Sequence, residues 1–143
     1  MKILVINGHP DKESYCQAIF QTIVETIDPN HHELQVISLN EEDFDPVLRY
    51  GYRKRMEEDP FILRSQEWIQ WADHLIFVYP IWWSSMPSLL KGWIDRVFTP
   101  GIAYSANDQG SFIWNYLRGK QFKKLLKGKT ASIYATSMAP TWW

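Results

Sequence analysis

Ile3-Leu4-Val5-Ile6 is a short, unbroken aliphatic run, stopped at once by Gly8-His9-Pro10. A strand that is apolar at every position must be covered on both faces, which selects a parallel sheet flanked by helices. The following residues supply one cover. Cys16, Ile19, Phe20, Ile23, Val24 and Ile27 recur at helical spacing and form a single apolar stripe. Asp28-Pro29-Asn30 ends that helix, and Leu34–Leu39 reads as a second strand.

The alternation continues. Residues 40–59 are polar and loop-like, and Asp59-Pro60 then offers an N-cap and a first-turn proline. In the helix that follows, Phe61, Ser65, Trp68 and Ala72, flanked by Ile62 and Ile69, face the core. His74–Tyr79 is a third strand. Pro87 falls in the first turn of the next helix, whose Leu90, Trp93, Ile94 and Val97 point inward. Residues 99–119 read as a long connection, Lys120–Lys127 as a short basic helix, and Thr130–Thr136 as a fourth strand. Strands alternating with helices predict an α/β flavodoxin-like three-layer sandwich on a parallel sheet of order 2-1-3-4. Such a sheet normally has a fifth strand and a closing helix. The fourth strand ends about seven residues before Trp143, so the fifth is expected to be missing from this chain.

The 143 residues suit one domain spanning 1–143, with a hydrophobic share of 45% that excludes disorder. A net charge of −1 gives no bulk attraction to nucleic acid or to an anionic membrane. One cysteine excludes an intrachain disulfide and fits a reducing compartment. The apolar N-terminal stretch is too short for a secretory signal, and no run approaches the roughly 18 apolar residues of a membrane span. A cytoplasmic protein without membrane insertion is expected.

In a parallel sheet the carboxyl ends of the strands lie on one side, where ligands bind. Three loops converge there: G-H-P-D-K-E-S-Y-C-Q-A, P-I-W-W-S-S-M-P and T-S-M-A-P-T-W-W. In the first, Ser14 and Gln17 have capping-box spacing at a helix N-terminus, whose free N–H groups suit a phosphate, and His9 could add a donor. Alternatively Ser14 only caps and His9 only closes a turn. In the second, Trp82 and Trp83 stand side by side. An extended loop here could turn its amides to the edge of a heterocycle while an indole packs on its face; both rings filling a local core is the other reading. Two adjacent residues point in different directions, so at least one should face the cleft. The third loop begins with Thr136 and Ser137, small groups able to reach the far edge of the same ring.

Other constellations carry less. His31-His32-Glu33 has no third ligand at a useful spacing, so no metal is expected. Arg49, Arg53, Lys54 and Arg55, followed by Glu57, Glu58 and Asp59, read as a solvated face, with a dimer edge or a dinucleotide phosphate site as the second reading. Lys123, Lys124, Lys127 and Lys129 read as solubilising, and Cys16, on the helix stripe, as packing.

The segments G-H-P with S-Y-C-Q-A, A-D-H-L-I-F-V-Y-P-I-W-W-S-S-M-P-S-L-L-K-G-W-I-D-R-V-F, G-I-A-Y, and L-L-K-G-K-T-A-S-I-Y-A-T-S resemble the NAD(P)H:quinone oxidoreductase family, and in particular its modulator of drug activity B proteins. The long, irregular block Tyr79–Phe98 is the most specific part. The resemblance implies a flavin, FMN or FAD, with NAD(P)H as co-substrate. It assigns His9, Ser14, Tyr15, Cys16 and Ala18 to the phosphate segment. Pro80, Ile81, Trp82, Trp83 and Ser84 fall along the isoalloxazine, and Thr136, Ser137, Met138 and Ala139 in a segment usually written T-T-G-G. It further implies a homodimer in which Tyr104 reaches the partner subunit's substrate pocket. The implied reaction passes two electrons, as hydride, from NAD(P)H through flavin N5 to a quinone or similarly flat acceptor. Three departures stand out. Cys16 replaces a common asparagine, Met138-Ala139 replaces Gly-Gly, and the chain stops where the family continues with further active-site residues. An FMN electron carrier and a non-catalytic regulator of a partner such as a transporter are the alternative classes.

Overall fold

The computed structural model describes residues 1–106 and 122–138. Along the chain run β1 (Lys2–Asn7), α1 (Tyr15–Thr26), β2 (Glu33–Ser38), α2 (Pro60–Trp71), β3 (His74–Pro80), α3 (Ser88–Val97), β4 (Tyr104–Ala106), β5 (Phe122–Lys124) and β6 (Thr130–Thr136), with a 3-10 turn at Leu39–Glu41 after β2. Four strands form one parallel sheet in the order β2-β1-β3-β6. This is the expected order, β6 being the fourth strand of the sequence reading.

The sheet is covered on both faces because its strands are apolar at successive positions. Leu4, Ile6, Ile37 and Leu75 point to one side, where they meet Phe61, Ile62 and Ile69 of α2 and Leu90, Trp93 and Val97 of α3. Ile3, Val5, Ile76 and Val78 point to the other and meet Cys16 and Phe20 of α1. The period of two along each strand thus divides one apolar run between two cores. Trp93 is wholly buried, and its indole N–H donates to Ser65 Oγ at 3.1 Å, which gives the one polar atom of that ring a partner.

Helix starts follow local chemistry. Ser14 Oγ accepts from Gln17 N at 3.2 Å, and Asp59 Oδ1 accepts from Phe61 N at 2.9 Å and Ile62 N at 3.3 Å. Pro87 serves as the N-cap of α3 and lies just outside its first turn. Gly92 lets the 42–47 connection pass against α3: a β-carbon there would collide with the Pro46 carbonyl.

Two expectations fail. The connection 99–119 contains β4, and the Lys120–Lys127 helix does not form over the described residues. Phe122–Lys124 is instead β5, paired antiparallel with β4, and Leu125 N continues the contact to Ala103 O at 3.0 Å. Lys123 and Lys127 would face each other one helical turn apart, a like-charge pair in a segment too short to nucleate well, whereas a strand partner satisfies the same backbone groups. No helix among the described residues is long and apolar enough to cross a membrane.

Candidate functional site

The first loop is shaped from Asn7, the last residue of β1. Its side chain is fully buried: Nδ2 donates to Gln17 Oε1 at 2.6 Å and to Ser38 Oγ at 3.4 Å, and Oδ1 accepts from His9 N at 3.0 Å. His9 Nδ1 in turn accepts from Asp11 N at 2.9 Å, and Asp11 Oδ1 from Glu13 N at 2.9 Å. These side-chain-to-backbone bonds, each two residues long, replace a regular turn. Because Nδ1 accepts, neutral His9 carries its proton on Nε2, which is left to donate outward. Gly8 lies so close to α3 that a β-carbon would stand 2.8 Å from Leu90 Cδ2.

Only half of the expected capping box is made. Ser14 caps Gln17, but the Gln17 side chain turns to Asn7 and does not return to Ser14. Asn7 and Gln17 are therefore positioning residues that the sequence reading missed; the available signal was a polar side chain ending an apolar strand on the face that meets α1. In the first turn of α1, the amides of Tyr15 and Cys16 have no acceptor among the described residues, the arrangement that favours an anion. Ala18 adds no free donor, since its amide bonds Ser14 O at 3.3 Å; it presents only a small exposed side chain.

The second loop is a tight turn, where an extended segment was expected. Trp82 N donates to Ser85 O at 2.9 Å, Ser85 N to Trp82 O at 3.0 Å, and both residues between have positive φ, 50° at Trp83 and 59° at Ser84. That is the sign pattern of a two-residue hairpin turn, built here without glycine. Ile81 N is committed to Thr136 O at 2.7 Å. The free donors of the turn among the described residues are consequently the Trp83 and Ser84 amides. Pro80, the last residue of β3, is buried. Trp83 is fully exposed, while Trp82 is half-exposed and meets His9 edge to face, with centroids 5.4 Å apart. Neither indole is core, in contrast to Trp93.

The third loop is described as far as Met138; Ala139 lies outside the described residues. Thr136 ties it to both others, accepting from Ile81 N through its carbonyl and meeting Cys16 Sγ at 3.2 Å through Oγ1. The thiol of Cys16 is thus buried toward the sheet, and its backbone N–H is the group left without an acceptor among the described residues. Ser137 and Met138 are exposed, Met138 fully. The backbone there does not use positive φ, so the methionine imposes no left-handed strain.

All three loops accordingly meet at one sheet edge and are cross-bonded, yet Tyr15, Ile81, Trp82, Trp83 and Met138 remain exposed on them. An apolar patch next to free helix-end amides can take a ligand with a flat ring at one end and an anionic group at the other. Tyr104 does not join this group within the chain. It sits on β4, its carbonyl accepting from Gly101 N at 2.7 Å, close to Tyr52. The Tyr52 hydroxyl is held above the usual tyrosine range by burial, and then by Asp95 and Tyr104.

A family model described as a flavodoxin-like fold matches residues 1–142. The chain is 30% identical over 155 aligned positions to a ribosyldihydronicotinamide dehydrogenase-like protein traD of Penicillium crustosum, covering 95% of this chain and 57% of that protein. It is 31% identical to an NAD(P)H dehydrogenase [quinone] 1 of Cavia porcellus, covering 78% of this chain and 49% of that one. The crystal structure of Smu.1420 from Streptococcus mutans UA159 superposes with a TM-score of 0.77 at 33% identity, covering 99% of this chain and 71% of that chain. The chain spans about half the length of these two curated relatives. With a match over nearly its whole length, and with the sheet order and carboxyl-edge loops described above, the chain belongs to the Flavodoxin_2 family of flavodoxin-like folds.

Proposed function

We propose that the chain binds a flavin, FMN or FAD, and serves as a two-electron NAD(P)H oxidoreductase toward a quinone or a similarly flat acceptor. The observation that carries this reading is the cross-bonded trio of loops, with exposed aromatic and thioether side chains beside free amides at the N-terminus of α1. The names of the two curated relatives support the same activity class.

The residues fit such a cofactor. Ser14 and the amides of Tyr15 and Cys16, with His9 Nε2, would hold the phosphate end. Pro80, Ile81, Trp82, Trp83 and Ser84 would lie along the ring system, with the Trp83 and Ser84 amides as donors to its edge. Thr136, Ser137, Met138 and Ala139 would border the opposite edge, where oriented donors stabilise negative charge. A bound flavin supplies the capacity to accept and return hydride. The indoles and Met138 restrict the space above it to flat molecules and exclude water. The active unit is a homodimer in which Tyr104 lines the partner's pocket, and the single buried thiol suits work in the reducing cytoplasm.

Titrating the purified chain with FMN and separately with FAD, while following tryptophan fluorescence, tests the binding step. One flavin should saturate one site per chain and quench emission, with affinity falling several-fold in Trp83→Ala through loss of ring contact. Saturable binding of neither flavin would overturn the reading.

A further inference from the structure

The 48–59 connection is basic in its first half and acidic in its second, and most of these charges are used within the chain. Arg49 pairs with Asp45 at 2.6 Å, Arg55 pairs with Glu58 at 2.9 Å, Lys54 Nζ stands 4.9 Å over the Tyr50 ring, and Asp59 caps α2. One charge of each sign is left over. Arg53 and Glu57 are exposed and make no ion pair among the described residues. They stand four positions apart, but the chain between them is not helical, so it lacks the geometry that would bring them onto one face.

Beside these charges lies an exposed apolar patch, separate from the carboxyl-edge loops. Tyr50, Tyr52 and Leu63 are all exposed. Tyr52 and Leu63 border a cavity of about 440 Å³, Tyr50 borders a second of about 500 Å³, and the two share the wall from Lys54 to Asp59. The tyrosines are held outward by a fixed turn. Gly51 has φ 56° at its tip, Gly51 N donates to Leu48 O at 3.1 Å, and Arg53 N donates to Tyr50 O at 3.3 Å. The Tyr52 hydroxyl donates to Asp95 O at 3.3 Å. Tyrosines fixed in this way lose little freedom on contact, and tyrosine and arginine are the residue types that dominate protein interfaces.

The rims of both cavities carry basic and acidic side chains in near balance, so they favour an ion of neither sign. They do match a surface with the same two signs, and a second copy supplies one. About a two-fold axis, when residue i of one subunit meets residue j of the other, j also meets i. One unpaired arginine and one unpaired glutamate on the same segment therefore satisfy each other twice. The patch also continues toward Tyr104: the first cavity is closed by the 99–102 turn, where Gly101 N donates to Tyr104 O at 2.7 Å.

We infer that the 48–63 surface docks a second copy of this chain about a two-fold axis, with Arg53 of each subunit on Glu57 of the partner subunit and Tyr50, Tyr52 and Leu63 in the seam. The inference rests on the homodimer of the proposed function and names its contact surface.

Sedimentation velocity of the full chain, with far-UV circular dichroism as the control for folding, tests it. The unsubstituted chain should sediment as a dimer. Arg53→Glu and Glu57→Arg each turn both attractive pairs into like-charge pairs, and each should weaken self-association at least about tenfold. Both side chains are exposed, so both variants should fold. An equimolar mixture of the two variants should regain the dimer, because each subunit then meets the opposite charge at both positions; the chain carrying both substitutions should regain it alone. A monomeric unsubstituted chain would overturn the homodimer and this surface together. A dimer unaffected by either single substitution would leave the homodimer standing and overturn this surface, pointing to another such as the exposed Ile133 and Tyr134 of β6. Weakened variants that do not recover on mixing would overturn the Arg53–Glu57 pairing.

Discussion

At the scale of single residues, Trp83 and Ser84 are the described non-glycine positions with positive φ, and they sit where three loops present an apolar surface. Each left-handed L-residue costs roughly 1–2 kcal/mol. Ser84→Gly should therefore raise stability by about 1 kcal/mol in urea unfolding, with flavin affinity unchanged. Trp83→Gly should stabilise comparably and lose flavin affinity, since it removes the exposed ring as well as the strain. Asn7 makes the opposite prediction. Asn7→Leu keeps the volume but strands Gln17 Oε1 and His9 N, and should cost about 1–3 kcal/mol in urea unfolding and weaken flavin binding by loosening the first loop. The Ser14 cap and the outward exposure of the tryptophan pair were legible because each residue type carries its chemistry openly. The hairpin turn was not, because Trp-Ser lacks the Asn-Gly signature that announces positive φ. The role of Asn7 was hidden by its place at the end of an aliphatic run, and depends on a residue ten positions away.

At the scale of elements, the α2–α3 contact is specified by one polar bond inside an apolar seam. Ser65→Ala should leave the Trp93 indole N–H buried without an acceptor and cost about 1–3 kcal/mol, read as a lower urea midpoint. The connection that crosses α3 gives an acid-sensitive anchor. The Asp45 carboxylate is held below its ordinary value of 3.8 by the Val47 amide, and then by Arg49. A carboxyl whose folded-state value is depressed contributes stability in full above its unfolded value and loses it as pH falls through the folded one. Unfolding measured from pH 6 downward should show this loss beginning as the pH approaches 3.8, and Asp45→Asn should flatten that part of the acid limb. Helices were readable in the sequence wherever an apolar stripe ran three turns with a capping residue before it. The basic segment misled because lysine favours helices locally, whereas β4 supplied a strand partner that composition does not reveal.

At the scale of the whole molecule, the alternation of strands and helices fixes a parallel sheet, and the parallel sheet fixes where a ligand must bind. Every candidate loop lies at the carboxyl edge for that reason and not because of its own composition. The burial of Arg96, only 7% exposed in the last turn of α3, is by contrast invisible in the sequence, where nothing about Asp95-Arg96 tells which side chain turns inward. The central claim is that the carboxyl edge holds a flavin able to pass electrons from a nicotinamide to a flat acceptor. The most direct measurement is anaerobic addition of NADH or NADPH to the flavin-loaded chain, followed by a quinone, with the visible absorption of the flavin recorded throughout. The account predicts bleaching on addition of the reduced nicotinamide and recovery of the oxidised spectrum on addition of the quinone, in equal stoichiometry. A flavin that binds but is bleached by neither nucleotide would contradict it.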